Sequence, residues 1–185
     1  MRVTRIAVIA LLGIVTMFTV ACSSSSNHTS TPPLTPGFVT HTDSGYSISV
    51  PNSWEIQPME ATVIWAFFTC PSRCAGIATT VSVIETATNA LNVQSYYSVH
   101  VEPRFKNVNE YDFISKEDLT IDGIPAVKVI YTDIHDVNNV GAIQIMDCYL
   151  MNGQTLWSIE GSCAPSCWDT YKDTFNTMAS SFHLL

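Results

Sequence analysis

Six cysteines in 185 residues are the densest source of chemistry in this chain. Four of them form two similar pairs, Cys70-Pro-Ser-Arg-Cys74 and Cys163-Ala-Pro-Ser-Cys167. Exported thiols oxidise by default, which makes all four disulfide candidates. Local closure of each pair stabilises by roughly 2 kcal/mol through loop entropy, and a cross-link from one pair to the other by more than about 4 kcal/mol. The spacing leaves the pairing open; we favour the local links because each pair brackets a turn. A four-cysteine zinc or iron–sulfur site is a second reading, but thiolate knuckles normally use the tighter Cys-x-x-Cys. The same spacing weighs against a redox dithiol, although Cys167 lies near an expected helix start, where thiolates are favoured. Cys148 lies in an apolar stretch and is expected to be a buried, inert thiol.

Asp133 and His135 stand two apart in an expected strand, so their side chains share a face, with Asp136 just beyond. They are weak metal candidates, because no third or fourth ligand follows at a readable spacing. The acids Glu110, Asp112, Glu117, Asp118 and Asp122 lack the Asp-x-Asp-x-Asp-Gly order of a calcium loop and read as a solvated face. Ser98 and His100 are not set in a Gly-x-Ser-x-Gly elbow. No Gly-x-x-x-x-Gly-Lys or Gly-x-Gly-x-x-Gly loop is present to cradle phosphate. The sequence therefore points to no catalytic residue, no cofactor and no enzyme.

The elements that must position these residues follow from periodicity. Tyr46-Ser-Ile48-Ser-Val50 alternates apolar with polar, as a half-buried strand does, and Trp54 and Ile56 continue the alternation. Thr62 to Thr69 and Ile77 to Glu85 predict a hairpin around the Cys70–Cys74 loop. Val93, Tyr96, Tyr97, His100 and Val101 form a helical stripe within residues 89–101, with Pro103 expected to stop it. Four strands follow in a meander: Asp112 to Ile121, Ala126 to Ile134, Ala142 to Met151, and Thr155 to Glu160. Tight turns are expected at Asp122-Gly123 and Asn152-Gly153. Trp168, Tyr171, Phe175, Met178 and Phe182 then make an amphipathic helix with Ser166 as its cap. Strands joined by hairpins between two helices predict an α+β domain around an antiparallel sheet.

Composition narrows the function. With 46% hydrophobic and 13% charged residues the chain fits one globular domain rather than a disordered polymer. Eight basic residues against sixteen acidic give a net charge of −8, which excludes a basic-patch nucleic-acid binder.

The N-terminus carries an address. Arg2 and Arg5 precede the apolar run Ile6 to Val15, and small residues lead through Thr19-Val20-Ala21 to Cys22. This stretch resembles the bacterial lipobox, which implies cleavage after residue 21 and diacylation of Cys22. Thr19 stands where the pattern usually has Leu. An uncleaved anchor is the alternative, but its apolar core is shorter than the roughly 20 residues of a span. Residues 22–37 read as the lipidated cysteine and a Ser/Thr/Pro-rich stalk, with the domain over 38–185. Cleavage removes two of the eight basic residues and no acid, leaving the domain at −10. Attachment is therefore expected through lipid rather than through anionic headgroups.

Gly45-Tyr46-Ser-Ile48-Ser-Val50-Pro51-Asn-Ser-Trp54 resembles the first strand of PsbP-like domains, the family of PsbP, DcrB-type and LpqN-type proteins. The element order resembles theirs over residues 38–185, including the hairpin at Asp122-Gly123 and the terminal helix. The resemblance implies an α/β/α sandwich on an antiparallel sheet and a non-catalytic role in binding or assembly. The expectation is thus a lipid-anchored, extracytoplasmic envelope module with a protein partner, docking through exposed aromatics such as Trp65 or Tyr96. A small-molecule or metal carrier, or a thiol redox protein using the cysteine pairs, is the alternative.

Overall fold

The meander predicted between Asp112 and Glu160 forms one end of a larger sheet. The structure, a computed structural model, describes residues 37–43, 45–57, 64–106, 110–134 and 141–185. Strands β1 (Phe38–Asp43), β2 (Tyr46–Pro51), β3 (Glu55–Gln57), β4 (Ile64–Thr69) and β5 (Thr80–Ala87) come first. A helical segment follows, beginning with α1 (Val93–Tyr96). Then come β6 (Tyr111–Ile121), β7 (Ile124–Asp133), β8 (Ile143–Asn152) and β9 (Thr155–Cys163). Helix α2 (Trp168–Ser180) and β10 (His183–Leu184) close the chain.

Seven strands pair antiparallel in the order β3-β4-β5-β9-β8-β7-β6. A separate sheet has the order β1-β2-β10, so Tyr46 to Val50 does not join the main sheet. Neither β1 nor β10 is evident from the sequence. The first is an edge strand with no fully buried residue, and the second has only two residues, too few to show a period.

Asp122 and Gly123 both take positive φ, 51° and 75°, as the two central residues of a type I′ hairpin require. The Asp122 carboxylate also lies 2.6 Å from His183 Nδ1 and accepts from the Leu184 N–H at 3.1 Å, tying β10 to this turn. The second turn sits one residue later than its sequence predicts. Asn152 pairs with Thr155, so Gly153, at φ 62°, and Gln154 occupy the corner.

Side chains alternate across β8 and β9, and each face of the sheet has its own core. On one face Phe68, Val81, Val83, Met146, Leu150 and Ile159 pack against α2 and the small sheet. There Phe175 presses so closely on β9 that a Cβ on Gly161 would lie 2.7 Å from its ring. On the other face Val93, Tyr97 and Val101 cover Val127, Val129, Ile145 and Leu156. This layering is the α+β sandwich expected from the sequence.

Two helix boundaries differ from expectation. Pro103 does not end the first helical segment, which continues as a 3₁₀ turn over Glu102–Lys106. Proline is tolerated there because the opening N–H groups of a turn have no partner to lose. Ser166 does not cap α2 either. A 3₁₀ turn over Pro165–Cys167 runs into the helix, leaving Cys167 at the N-cap with no capping side chain.

Candidate functional site

The helical segment is irregular, and the irregularity shapes a groove. Asn92 opens it by accepting a hydrogen bond from the Ser95 N–H at 2.9 Å, while Ser95 Oγ accepts from the Asn92 N–H at 3.1 Å. One α turn then widens into a π turn over Tyr97–Val101 before tightening into the 3₁₀ turn. Such π turns recur at functional sites because they re-aim side chains that a regular helix would keep in line. Val93, Tyr97 and Val101 remain buried, which leaves Val99, His100 and Arg104 facing outward.

A groove of about 630 Å³ runs between this segment and the end of β5. Leu91, Tyr96, Val99, His100 and Arg104 are among its lining residues. Leu91 is 92% exposed and Val99 64%, so two large aliphatic side chains stand in water beside two basic groups. Ligand sites commonly combine apolar walls with a few convergent polar groups in this range of volume.

Beneath the segment lies a pair of acids on adjacent strands. Asp147 of β8 and Glu160 of β9 are directly opposed. Both face the helical segment, so their side chains lie within a few ångströms of each other, as cross-strand neighbours do. Asp147 is only 2% exposed. Its Oδ2 accepts from Tyr149 Oη at 2.7 Å and Tyr131 Oη at 3.0 Å, while its Oδ1 is buried with no partner among the described residues. Burial raises the Asp147 pKa against the opposing pull of the two phenols and Arg104. Glu160 is pushed up to about 7, first by burial and then by the charge of Asp147. Both phenols are raised as well, burial first and Asp147 second.

Aromatic rings connect the groove with this pair. His100 lies 5.1 Å from Tyr96, and Tyr96 lies 5.6 Å from Tyr149, ring centre to ring centre. Arg104 lines the groove and its charge acts on both acids. The arrangement can hold a proton between two carboxyl groups and present a cation with apolar neighbours to a partner. Among the described residues it offers no nucleophile activated by a base.

The cysteines gather on the opposite face of the sheet. Cys74 and Cys167 form a disulfide with Cα atoms 6.3 Å apart across 93 residues of sequence. This corrects the expected local closure of Cys70 with Cys74 and Cys163 with Cys167. The β4–β5 loop lies against the start of α2, which brings Cys74 to Cys167, while Cys163 is wholly buried at the end of β9. Cys70, Cys148 and Cys163 are free thiols. Burial raises Cys148 to about 12, in keeping with the inert thiol expected there.

Asp133 ends β7, and its charge reaches Glu160. His135 and Asp136 lie outside the described residues, as does all of 1–36, including Cys22. Among the described residues no three of His, Cys, Asp or Glu converge on a point that could hold a metal. Tyr96 borders the groove as a half-buried ring, whereas the Trp65 side chain lies outside the described residues. Of the acids read as a solvated face, Glu117 pairs with Lys128 at 2.7 Å and Asp118 with Lys116. The acid pair itself went unnoticed in the sequence. Its signal was Asp147 within the apolar run Ile143-Gln-Ile-Met-Asp147-Cys-Tyr-Leu, a carboxylate where a strand should be buried.

Comparison with known proteins comes to one family. The family model described as "PsbP-like protein" matches residues 3–184. No curated protein matches the chain. Among solved structures, cyanobacterial PsbP (CyanoP) from Synechocystis superposes with a TM-score of 0.58 at 19% identity, covering 83% of this chain and 96% of that one. LpqN of Mycobacterium tuberculosis, described as involved in cell envelope biogenesis, gives a TM-score of 0.62 at 13% identity, covering 80% and 88%. A Pseudomonas aeruginosa protein of unknown function, PA94, gives 0.55 at 12% identity, covering 77% and 94%. At these identities the likeness concerns the fold alone. Among the described residues no helix is long and apolar enough to cross a membrane.

Proposed function

The chain belongs to the PsbP-like protein family, and from that premise we propose that it is a lipid-anchored, extracytoplasmic binding module without catalytic activity. Residues 1–21 are the export signal, Cys22 carries the lipid, residues 22–37 are the stalk and 38–185 the binding domain. The groove beside the helical segment is the docking face. Its partner is an envelope protein presenting an acidic side chain next to an apolar one.

The observation that carries the docking face is the exposure of Leu91 and Val99 beside His100 and Arg104. On a chain of net charge −8, two basic groups flanked by exposed aliphatics select an acidic, partly apolar segment over a neutral one. The lipobox resemblance at Thr19-Val20-Ala21-Cys22 supports the anchor, and the envelope role stated for LpqN is compatible with it.

Two measurements test this reading. Metabolic labelling with palmitate should mark the chain in its native host, and Cys22→Ala should abolish the label; a label that survives overturns the anchor. A photo-crosslinker at position 91 should trap one discrete adduct that disappears with Arg104→Glu, while one at Glu55, exposed on the far edge strand β3, traps none. Equal adducts from both positions would remove the groove as the docking face.

A further inference from the structure

We propose that Cys70, Cys74 and Cys167 form an internal thiol–disulfide exchange centre, in which Cys70 attacks Cys74 and releases Cys167 at the start of α2. The inference concerns the face of the sheet opposite the groove and does not depend on the proposed docking.

Of the three free thiols among the described residues, Cys163 and Cys148 are fully buried, and burial raises them to about 11 and 12. Thiolate is the attacking species, so neither is a competent nucleophile. Cys70 differs: it is partly exposed, at the mouth of the β4–β5 loop. Its Sγ lies 3.6 Å from Tyr171 Oη. Tyr171 is four residues beyond Cys167, the spacing that places two side chains on one helix face about 5–6 Å apart at Cβ. The Cys70 sulfur therefore touches a side chain of the helix that follows Cys167.

The loop also gathers Cys70 toward Cys74. The Cys70 N–H bonds to the Thr79 carbonyl, and Cys74 exchanges two hydrogen bonds with Ile77. These rungs are two residues apart on one arm, Ile77 to Thr79, but four apart on the other. The four-residue arm is thus compressed to the rise of two extended residues, about 6.5 Å, which is within the Cα range of a disulfide.

The step balances without an outside oxidant. Cys70 loses its proton to solvent, and its sulfur lone pair forms the Cys70–Cys74 bond. The Cys74–Cys167 bond breaks, and its electron pair stays on Cys167 Sγ, which then takes up a proton. One disulfide and the same number of thiols remain. The leaving sulfur emerges at the N-cap of the 13-residue helix α2, at the positive end of its dipole. Ser166 Oγ lies 3.6 Å from it as a further donor. Such surroundings favour a departing thiolate. The exchange turns a cross-link over 93 residues into a local one and frees the loop from α2.

The test uses the full chain, purified without reductant in mild detergent, held near pH 8, quenched with acid and mapped by peptide mass spectrometry. A Cys70–Cys74 peptide in about a tenth or more of the molecules, with Cys167 as free thiol, is the expected result. Cys70→Ser should abolish free Cys167, and Cys163→Ser should leave it unchanged. Finding only Cys74–Cys167 after incubation, or free Cys167 in Cys70→Ser as well, overturns the proposal. Should Cys70→Ser fail to fold, Cys167→Ser decides: Cys70–Cys74 closes with oxidised glutathione, or Cys74 remains a mixed disulfide and the proposal falls.

Discussion

On the face covered by α2, strands β8 and β9 contribute Met146, Cys148, Leu150, Trp157 and Ile159. On the other face the same two strands contribute Asp147, Tyr149, Ser158 and Glu160. The first set is nearly featureless chemically, and aromatic rings from Trp54, Trp168, Tyr171 and Phe175 close over that side. The second set holds two opposed carboxyl groups beneath a helical segment with an unsettled pitch. One sheet thus divides its labour. Its α2 face supplies the apolar burial that folding needs, which leaves the other face free to carry titratable groups under an adaptable cover.

The contrast is testable by substitution. Phe175→Ala removes the ring at the centre of the α2 face and should cost about 3–5 kcal/mol in urea unfolding. A loss below about 1 kcal/mol would mean that the two faces do not differ as described.

The opposite face should show itself through pH. Glu160 has a pKa of about 7 in the folded domain against an ordinary 4.5, so the folded state holds the proton more tightly than the unfolded chain. Its contribution is complete below about pH 4.5 and is lost as pH rises through about 7, on the order of 3 kcal/mol for the whole shift. The raised Asp147 acts in the same direction. Glu160→Gln should flatten the stability curve across this window, measured by denaturation at several pH values. An unaltered slope would place the titration elsewhere.

Packing against β9 gives a smaller effect. Gly161→Ala drives a methyl group into the Phe175 ring and should destabilise by about 1–3 kcal/mol. Combining it with Phe175→Leu should recover part of the loss, since the smaller side chain leaves room. If the two losses simply add, the close approach is not their cause.

The groove should give the smallest change of all. Leu91→Ser should move stability by less than about 0.5 kcal/mol while removing the adduct trapped by a crosslinker moved to position 99. A larger destabilisation would show that Leu91 belongs to the fold rather than to the docking face.

Much of the architecture was legible because the sheet writes itself in period two. The strands around Asp122-Gly123 and the buried positions Val93, Tyr97 and Val101 followed from local pattern alone. What escaped depends on register between distant segments. Asp147 and Glu160 become a pair only when β8 and β9 align residue by residue, and nothing near either acid announces the other. Cys74 and Cys167 meet because a hairpin loop lies on a helix start, a tertiary contact that two similar local spacings disguise. The π turn was hidden too, since its apolar stripe is the same as that of a regular helix.

The hairpin of β1 and β2 has a mechanical consequence. Phe38 pairs with Pro51 and Asp43 with Tyr46, so the free end of the hairpin lies where the chain enters the domain. A tension applied ahead of Phe38 loads these hydrogen bonds one rung after another, as a zipper, rather than all together in shear. Peeling β1 gives up the contact of the His41 ring with Phe68 and leaves β2 held on its other edge by β10, with the strand pairing of the seven-stranded sheet intact. The small sheet can therefore yield six residues of slack, a compliant leader that spares the groove from forces on the chain.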